Sequence, residues 1–258
     1  MFHNRIFVAS ALLCGALAAV SLRADEAGQK VRAVVEKHKQ ALGILKLDVE
    51  VRLSVEGGSD AQSTEASIAA TAFAIDGEGL YATADHISLL TGGFREDGVK
   101  VDVDIRDSKM LMADGKEFPA RVEWRDTEHH LLFLRVEELK GKVTPVDLAD
   151  ESAVDVGDPC VLLQMLTAAH RGPQVNLARI DFRFDSPLKM LRVDTVHFDP
   201  GIPAFDLDGK FLGVTSVYKE PGGDGDAAHA VVLRTSHLRD LVARMKHPPE
   251  TGTPPAGK

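Results

Sequence analysis

The chain is dominated by short segments in which apolar and polar residues alternate, a period of two that is typical of half-buried β-strands. The clearest segment runs from Leu45 to Val55, where every second residue is Leu or Val, and another runs from Val99 to Ile105. Further strand-like segments lie at residues 72–75, 80–84, 118–124, 131–136, 159–166, 174–183, 190–197, 210–217 and 228–233. Many short strands at this spacing predict a sandwich or a barrel.

Two segments at the ends of this strand-rich region have the period of a helix instead. The first spans residues 27–42 and places on one face Val31, Val34, Val35, Ala41 and Leu42. The second begins at Thr235, a residue suited to a helix N-cap, and turns inward Leu238, Leu241 and Val242. These patterns predict one helix before the strands and one after them.

A connector at residues 137–150, which contains Gly141 and Pro145, divides the strands into two halves. We therefore expect an N-terminal helix and first barrel within residues 25–140, and a second barrel and C-terminal helix within residues 141–246. The tail at 247–258 has four prolines, two glycines and no large apolar residue, which predicts disorder.

The first 24 residues have the organisation of a secretory signal peptide. Arg5 precedes the apolar run from Ile6 to Leu22, and the small residue Ala24 offers a cleavage site. The run is short and rich in small residues, so we expect cleavage rather than a stable membrane anchor. The pattern predicts a secreted or periplasmic protein.

Charge and cysteine content narrow the function classes further. The chain carries 30 basic and 39 acidic residues, a net charge of −9. Cleavage after Ala24 removes Arg5 and Arg23, which leaves 30 − 2 = 28 against 39, or −11. This balance argues against nucleic acid and anionic membranes as partners. Only Cys160 remains in the mature chain, so no disulfide framework forms, and its apolar surroundings predict an inert, buried thiol.

One stretch carries candidate chemistry. Residues 72–75 and 80–84 have the pattern of two strands joined by the Gly-rich turn from Asp76 to Gly79, and His86 follows where the second strand ends. A histidine at a strand end can be held in a cleft as a general base.

This stretch resembles the block around the catalytic histidine of trypsin-like serine proteases, in particular their bacterial HtrA/Deg branch. The segment from Asp114 to Asp126 is similar to the family's next block, and the segments from Asp206 to Val214 and from Ala228 to Leu238 are similar to its last two. The resemblance implies an all-β fold of two six-stranded antiparallel β-barrels. It also implies that His86 is the triad histidine.

The other two members of the triad are replaced. The family's acid falls on His130, at the start of His130-Leu-Leu-Phe-Leu-Arg-Val136. Aligned backward from Asp208-Gly209, the family's Gly-Asn-Ser-Gly-Gly-Pro puts Pro200 at the nucleophile; aligned forward from Asp194, it places the serine in a deletion. Neither alignment provides a serine, and proline also lacks the backbone N–H of an oxyanion hole.

The resemblance with these departures implies a catalytically inactive protease homologue, a pseudoprotease, that acts as a protein-binding module in the cell envelope. We expect a protein or peptide partner, and candidate binding residues on the degenerate loop are Phe198, Asp199, Gly201 and Ile202. Bulk at Phe198 and Ile202 predicts a narrowed cleft, with binding through the outer loops. The alternatives are an active HtrA-like serine endopeptidase, a metal-assisted peptidase, and a structural envelope protein.

No cofactor is expected, because the chain has no Cys/His spacing typical of a structural zinc site. On the expected fold His130 lies beside His86, and His197 approaches from a third loop. These three imidazoles are metal-ligand candidates, although the preferred interpretation is neutral histidines that share the cleft with water.

Overall fold

A computed structural model describes residues 26–55, 62–92, 99–149, 151–166, 168–186, 188–195, 197–219 and 228–246. The predicted signal peptide and the predicted disordered tail lie outside the described residues. The helices in the described residues are α1 (residues 26–38), α2 (His86–Gly92) and α3 (Thr235–Lys246), with 3₁₀ turns at Lys39–Ala41 and Glu137–Leu139. Its strands are β1 (Leu42–Val55), β2 (Gln62–Ala74), β3 (Leu80–Ala84), β4 (Val99–Met112), β5 (Glu117–Pro119), β6 (Arg121–Asp126), β7 (Leu131–Arg135), β8 (Pro159–Met165), β9 (Pro173–Phe184), β10 (Met190–Asp194), β11 (Pro203–Phe205), β12 (Phe211–Lys219) and β13 (Ala228–Arg234).

The first half is a curled antiparallel sheet in the order β5-β4-β1-β2-β3-β7-β6. It has seven strands rather than the six predicted, because Pro119 and Ala120 break one extended run into two short strands. The first pairs with β4 and the second with β7. The Ala120 N–H donates to the Ser108 carbonyl at 2.9 Å, so the chain crosses between the two edges of the sheet. The chain through Ala120 thus connects the two edge strands of a curled, open sheet.

The second half is a closed six-stranded barrel in the order β10-β13-β12-β11-β8-β9, as predicted. The alternation of apolar and polar residues did not predict β11, because a strand of three residues is too short to show a period. The first helix ends at residue 38, four residues earlier than predicted. Leu42 is fully buried as the first residue of β1.

The largest apolar cluster joins the two halves and both terminal helices. Phe73 from the first sheet packs against Phe211 of the second barrel, with ring centroids 5.6 Å apart. Val34 of α1 and Leu238 of α3 belong to the same cluster. Burial of this shared apolar surface holds the halves together and fixes the groove between them.

The prediction for Cys160 can be compared with the structure. Cys160 is fully buried in β8, which confirms the core assignment, and burial raises the pKa of its thiol to about 12. None of the described helices is long and apolar enough to cross a membrane.

Candidate functional site

His86 is the first residue of α2, directly after the buried strand β3 and Asp85. The turn before β3 is built as its sequence predicts. Asp76 Oδ1 accepts the N–H groups of Glu78 and Leu80, both at 2.9 Å. Gly79 has φ +80°, and a Cβ there would lie 2.4 Å from the Val136 carbonyl oxygen, so this position requires glycine.

Asp85 anchors the start of α2 and was not identified from the sequence. Its carboxylate is fully buried and accepts two hydrogen bonds from Arg125, Nε to Oδ2 at 3.0 Å and Nη2 to Oδ1 at 2.9 Å. Oδ1 also accepts the Ser88 N–H at 3.3 Å. An Asp immediately before a helix, three residues ahead of a Ser, is a capping signal that the sequence did contain.

His130 occupies the place predicted for the triad acid, and it pairs with a hydroxyl. Its Nδ1 lies 2.9 Å from Ser88 Oγ, and its carbonyl accepts the Asp85 N–H at 2.8 Å. Its backbone has φ +55°, a left-handed conformation that closes the turn before β7. The position therefore supplies no carboxylate to orient His86.

The loop that aligns with the nucleophile is held by Thr215 of β12. The Gly201 N–H donates to the Thr215 carbonyl at 2.8 Å, and the Ile202 N–H donates to Thr215 Oγ1 at 2.9 Å. Thr215 Oγ1 donates in turn to the Asp199 carbonyl at 2.8 Å. Pro200 has no N–H, so no amide from 200 to 202 is left to stabilise an oxyanion.

A cleft of about 360 Å³ lies between the two halves at this loop. The described residues that line it include His86, Asp199, Pro200 and Ile202, and none of them is a serine or a cysteine. Phe198 is not part of the lining, and Ile202 is only 1% exposed because it also packs into the second barrel. Most of the remaining wall is apolar: Ile44, Ala69, Ala70, Met165, Leu166 and Ala168.

The imidazole of His86 is neutral at neutral pH. Burial lowers its pKa, and the nearby charges of Asp199 and Asp85 oppose the shift without reversing it. Its Nε2 is buried and has no hydrogen-bond partner among the described residues. Such a group can accept a proton, but the lining offers no side chain with an activated hydroxyl or thiol to supply one.

The structure does not assemble the histidines considered as metal ligands from the sequence. Among the described residues, the one group of three side chains close enough to share an ion is Asp126, His129 and His237. His197 is exposed. Sequence spacing could not reveal this group, because His237 lies more than a hundred residues after His129 and only the fold brings them together.

Comparison with known proteins finds similarity to trypsin-like peptidases in the region that contains this cleft. A family model described as a trypsin-like peptidase domain matches residues 70–214. A probable periplasmic serine endoprotease, DegP-like, from Bartonella henselae is 27% identical over 173 residues, which is 62% of this chain and 31% of that protein.

Two solved structures of a variant of the HtrA-type protease AlgW, one with a tripeptide and one with a decapeptide, have TM-scores of 0.55 and 0.58 at 15% and 16% identity. Each match covers 84% of this chain, and 64% or 67% of the solved chain. The family match spans more than half of the chain and includes both His86 and the Pro200 loop. The chain therefore belongs to the family of trypsin-like peptidase domains.

Proposed function

We propose that this protein is a secreted or periplasmic protease homologue that lacks protease activity and uses the retained cleft to bind an extended segment of a protein or peptide in the cell envelope. The observation that carries the proposal is Pro200, which lines the same cleft as His86 and which one of the two alignments matches to the family's nucleophile. The periplasmic description of the Bartonella relative and the signal-peptide pattern at residues 1–24 support the location.

Loss of activity follows from three separate defects at the site. Pro200 supplies no nucleophilic hydroxyl, it also supplies no backbone N–H to an oxyanion hole, and His130 supplies no carboxylate. Removal of the nucleophile alone lowers the turnover of a subtilisin-type triad by about 10⁶.

The edge of β2 beside the cleft is suited to an added strand. β2 pairs with β1 from Gln62 to Phe73, but it pairs with β3 only at Phe73 and Ala74. Its other edge has no strand partner from 62 to 72 among the described residues, and Ala69 and Ala70 line the cleft there. An extended segment can add to such an edge through main-chain hydrogen bonds.

Two buried polar atoms in the cleft also lack partners in the described part of the chain, His86 Nε2 and Gln164 Oε1. Unpaired buried polar atoms are uncommon in native proteins, and a bound peptide could satisfy both. The two AlgW structures were determined with a tripeptide and with a decapeptide.

A fluorophosphonate probe tests the loss of activity. We expect no labelling of the mature protein under conditions that label trypsin completely. Stoichiometric labelling that disappears in His86→Ala would show an activated serine and overturn the inactive assignment.

Binding is tested with an array of unstructured, fluorescently labelled decapeptides of graded apolar content, measured by polarisation. We expect binding of apolar peptides to wild type and its loss in Ala69→Glu, which puts a charge into the cleft. Ala66→Glu is the matched control, because Ala66 is exposed on the same strand outside the cleft lining.

Leu177→Glu tests an outer surface, since Leu177 is 58% exposed on β9. Loss of binding in this variant, together with retention in Ala69→Glu, would assign binding to the outer surface instead of the cleft.

A further inference from the structure

A second group of ionisable side chains lies where the two halves meet, apart from the cleft. Asp126 ends β6, His129 stands in the turn before β7, and His237 is in the first turn of α3. One potential ligand atom from each lies within 4.8 Å of the others. None of the three residues lines the cleft.

The group is ordered by its own contacts. His129 Nδ1 lies 2.8 Å from Asp126 Oδ2, and the rings of His129 and His237 meet edge to face with centroids 4.2 Å apart. The other oxygen of Asp126 accepts the backbone N–H groups of Glu128 and His129 at 3.1 and 3.2 Å. The side chains of Asp126 and His129 are only 8% and 13% exposed, so the carboxylate and the first imidazole are held in place.

One nitrogen of the second imidazole is left without a hydrogen-bond partner. Nε2 of His237 is buried and makes no hydrogen bond to any described residue. A buried nitrogen in this condition is costly unless something binds to it. Burial, followed by the neighbouring His129, lowers the pKa of His237 to about 4, which keeps the ring in the neutral form that ligates metals.

We propose that Asp126, His129 and His237 bind one divalent transition-metal ion, for which zinc is the probe. Two imidazoles and one carboxylate match the three-residue donor sets that zinc accepts, with a fourth position for water. Calcium and magnesium are poor candidates because they favour oxygen ligands throughout. The proposal does not depend on the absence of protease activity.

The spacing needs only a small adjustment. Zinc binds imidazole nitrogen and carboxylate oxygen at about 2.0–2.2 Å, so tetrahedral ligand atoms lie about 3.3–3.5 Å apart. The distance of 2.8 Å between His129 Nδ1 and Asp126 Oδ2 must increase slightly. The ligand atom of His237, which lies within 4.8 Å of the other two, must move closer to them. The opposite charges of Asp240 and Arg244 on α3 also act on His237, so neither sign dominates from that helix.

A bound ion would link elements that are distant in the sequence. The turn that carries His129 also carries His130, which contacts Ser88 at the start of α2. Ser216 Oγ of β12 donates to the His129 carbonyl at 3.1 Å. The ion would fasten this turn to α3 and thereby hold the first sheet against the C-terminal helix.

Isothermal titration of the metal-free, full mature chain with zinc tests the site. We expect one zinc per chain, and a dissociation constant at least about tenfold weaker in Asp126→Asn, His129→Gln or His237→Gln, the scale on which metal sites respond to lost contacts. Zinc should raise the melting temperature of wild type and not that of His237→Gln.

His197→Gln is the matched control, because His197 is an exposed histidine outside the group. No zinc uptake by wild type, or uptake unchanged by His129→Gln and His237→Gln, would overturn the proposal. Weakened binding in His197→Gln alone would place the site elsewhere.

Cobalt spectroscopy of wild type provides a measurement that does not require a folded variant. Co²⁺ should give the visible bands of a low-coordinate nitrogen and oxygen site without thiolate charge transfer. Absence of those bands, or their appearance with thiolate absorption, would contradict the assigned ligands.

Discussion

At the scale of single residues, the proposed loss of activity rests on three positions that align with the family's catalytic triad. His86 keeps its place at the end of β3, whereas the surrounding positions hold Pro200 and His130. An imidazole acts as a general base only when a nucleophile is within reach and its orientation is fixed. The described lining of the cleft around His86 contains neither a serine nor a cysteine, and this is why we propose that the site is inactive.

Restoring the hydroxyl alone should not restore activity. We expect Pro200→Ser to show no labelling by a fluorophosphonate and no cleavage of an unstructured fluorogenic protein. The substituted serine would still face a histidine that position 130 does not orient, because His130 has no carboxylate. Loss of the triad acid alone lowers turnover by about 10⁴.

The same labelling and cleavage are measured for the double variant Pro200→Ser, His130→Asp. The triple variant that also carries His86→Ala is the control for the double variant. Labelling of the single variant at the rate of an active protease would show that the loop rearranges to form an oxyanion hole.

At the scale of elements, two contacts dock helices that the strand pattern alone would not place. His38 at the end of α1 hydrogen-bonds through Nε2 to the Gly209 carbonyl at 2.9 Å and stacks on Phe205 at 4.1 Å between ring centroids. Asp85 and Arg125 fasten the start of α2 to β6. Each contact replaces solvent around a charged or ionisable group. The stability of the folded protein therefore depends on the residue that takes the place of the solvent.

The docking of α1 should weaken in mild acid. Burial lowers the pKa of His38 from its ordinary value of 6.5, so the folded state keeps the ring neutral while the unfolded chain takes up a proton as pH falls below 6.5. The free energy of unfolding therefore declines from that pH downward. Lys37 lowers the pKa further, and its Nζ also donates to the Gly209 carbonyl at 2.9 Å.

The measurement is urea unfolding at several pH values. We expect His38→Phe to reduce the decline below pH 6.5, because phenylalanine keeps the stacking and Lys37 still satisfies the carbonyl. His197→Gln, at an exposed position, is the control. An unchanged slope in His38→Phe would contradict this origin of the pH dependence.

The ion pair under α2 should be asymmetric in its effect on stability. Arg125→Ala leaves the fully buried Asp85 carboxylate without its partner, and breaking a buried pair in this way costs about 3–5 kcal/mol. Arg52→Ala is the matched control, since Arg52 pairs with Asp104 on an exposed face and such pairs contribute about 0–1 kcal/mol. Equal losses in the two variants, measured by urea unfolding, would show that Asp85 reaches solvent or another partner.

At the scale of the whole molecule, the loop of the second barrel that contains Pro200 and Gly201 touches β3, the strand that precedes His86. Gly201 has φ +87°, and a Cβ on it would lie 2.0 Å from the Ala84 nitrogen. The backbone of one half therefore packs directly on the backbone of the other, beside the apolar cluster that joins them. This contact sets the shape of the cleft.

Substitution of two glycines distinguishes the cost of backbone strain from the cost of disturbing the contact between the halves. Gly157 has φ +97°, and a Cβ added to it would meet no described atom within 4 Å, so Gly157→Ala should cost only the left-handed conformation, about 1–2 kcal/mol. Gly201→Ala should cost about 2 kcal/mol more, because the new methyl overlaps the Ala84 backbone. Thermal and urea unfolding of both variants measure the two losses in the free energy of unfolding. Equal losses would mean that the two halves move apart at this contact without a cost in free energy.

The sequence by itself determined the strand-rich architecture, both terminal helices and the place of His86. Leu45 to Val55 alternates with a period of two, and the Asp76–Gly79 turn has the residues that its backbone requires, so these are local properties that a sequence records directly. The absence of a serine from residues 194–209, the segment aligned with the nucleophile, was also evident from the sequence, since it depends only on which residues occupy that segment.

Only the tertiary structure decided which distant side chains meet. Arg125 reaches Asp85 across 40 residues, and His237 approaches Asp126 and His129 only after α3 docks at the junction of the halves. It also decided that β5 and β6 close the first sheet through Ala120, because a break in strand pairing depends on both neighbouring strands. Contacts between remote segments are selected by packing and by the pairing of buried polar groups, and neither leaves a fixed spacing along the chain.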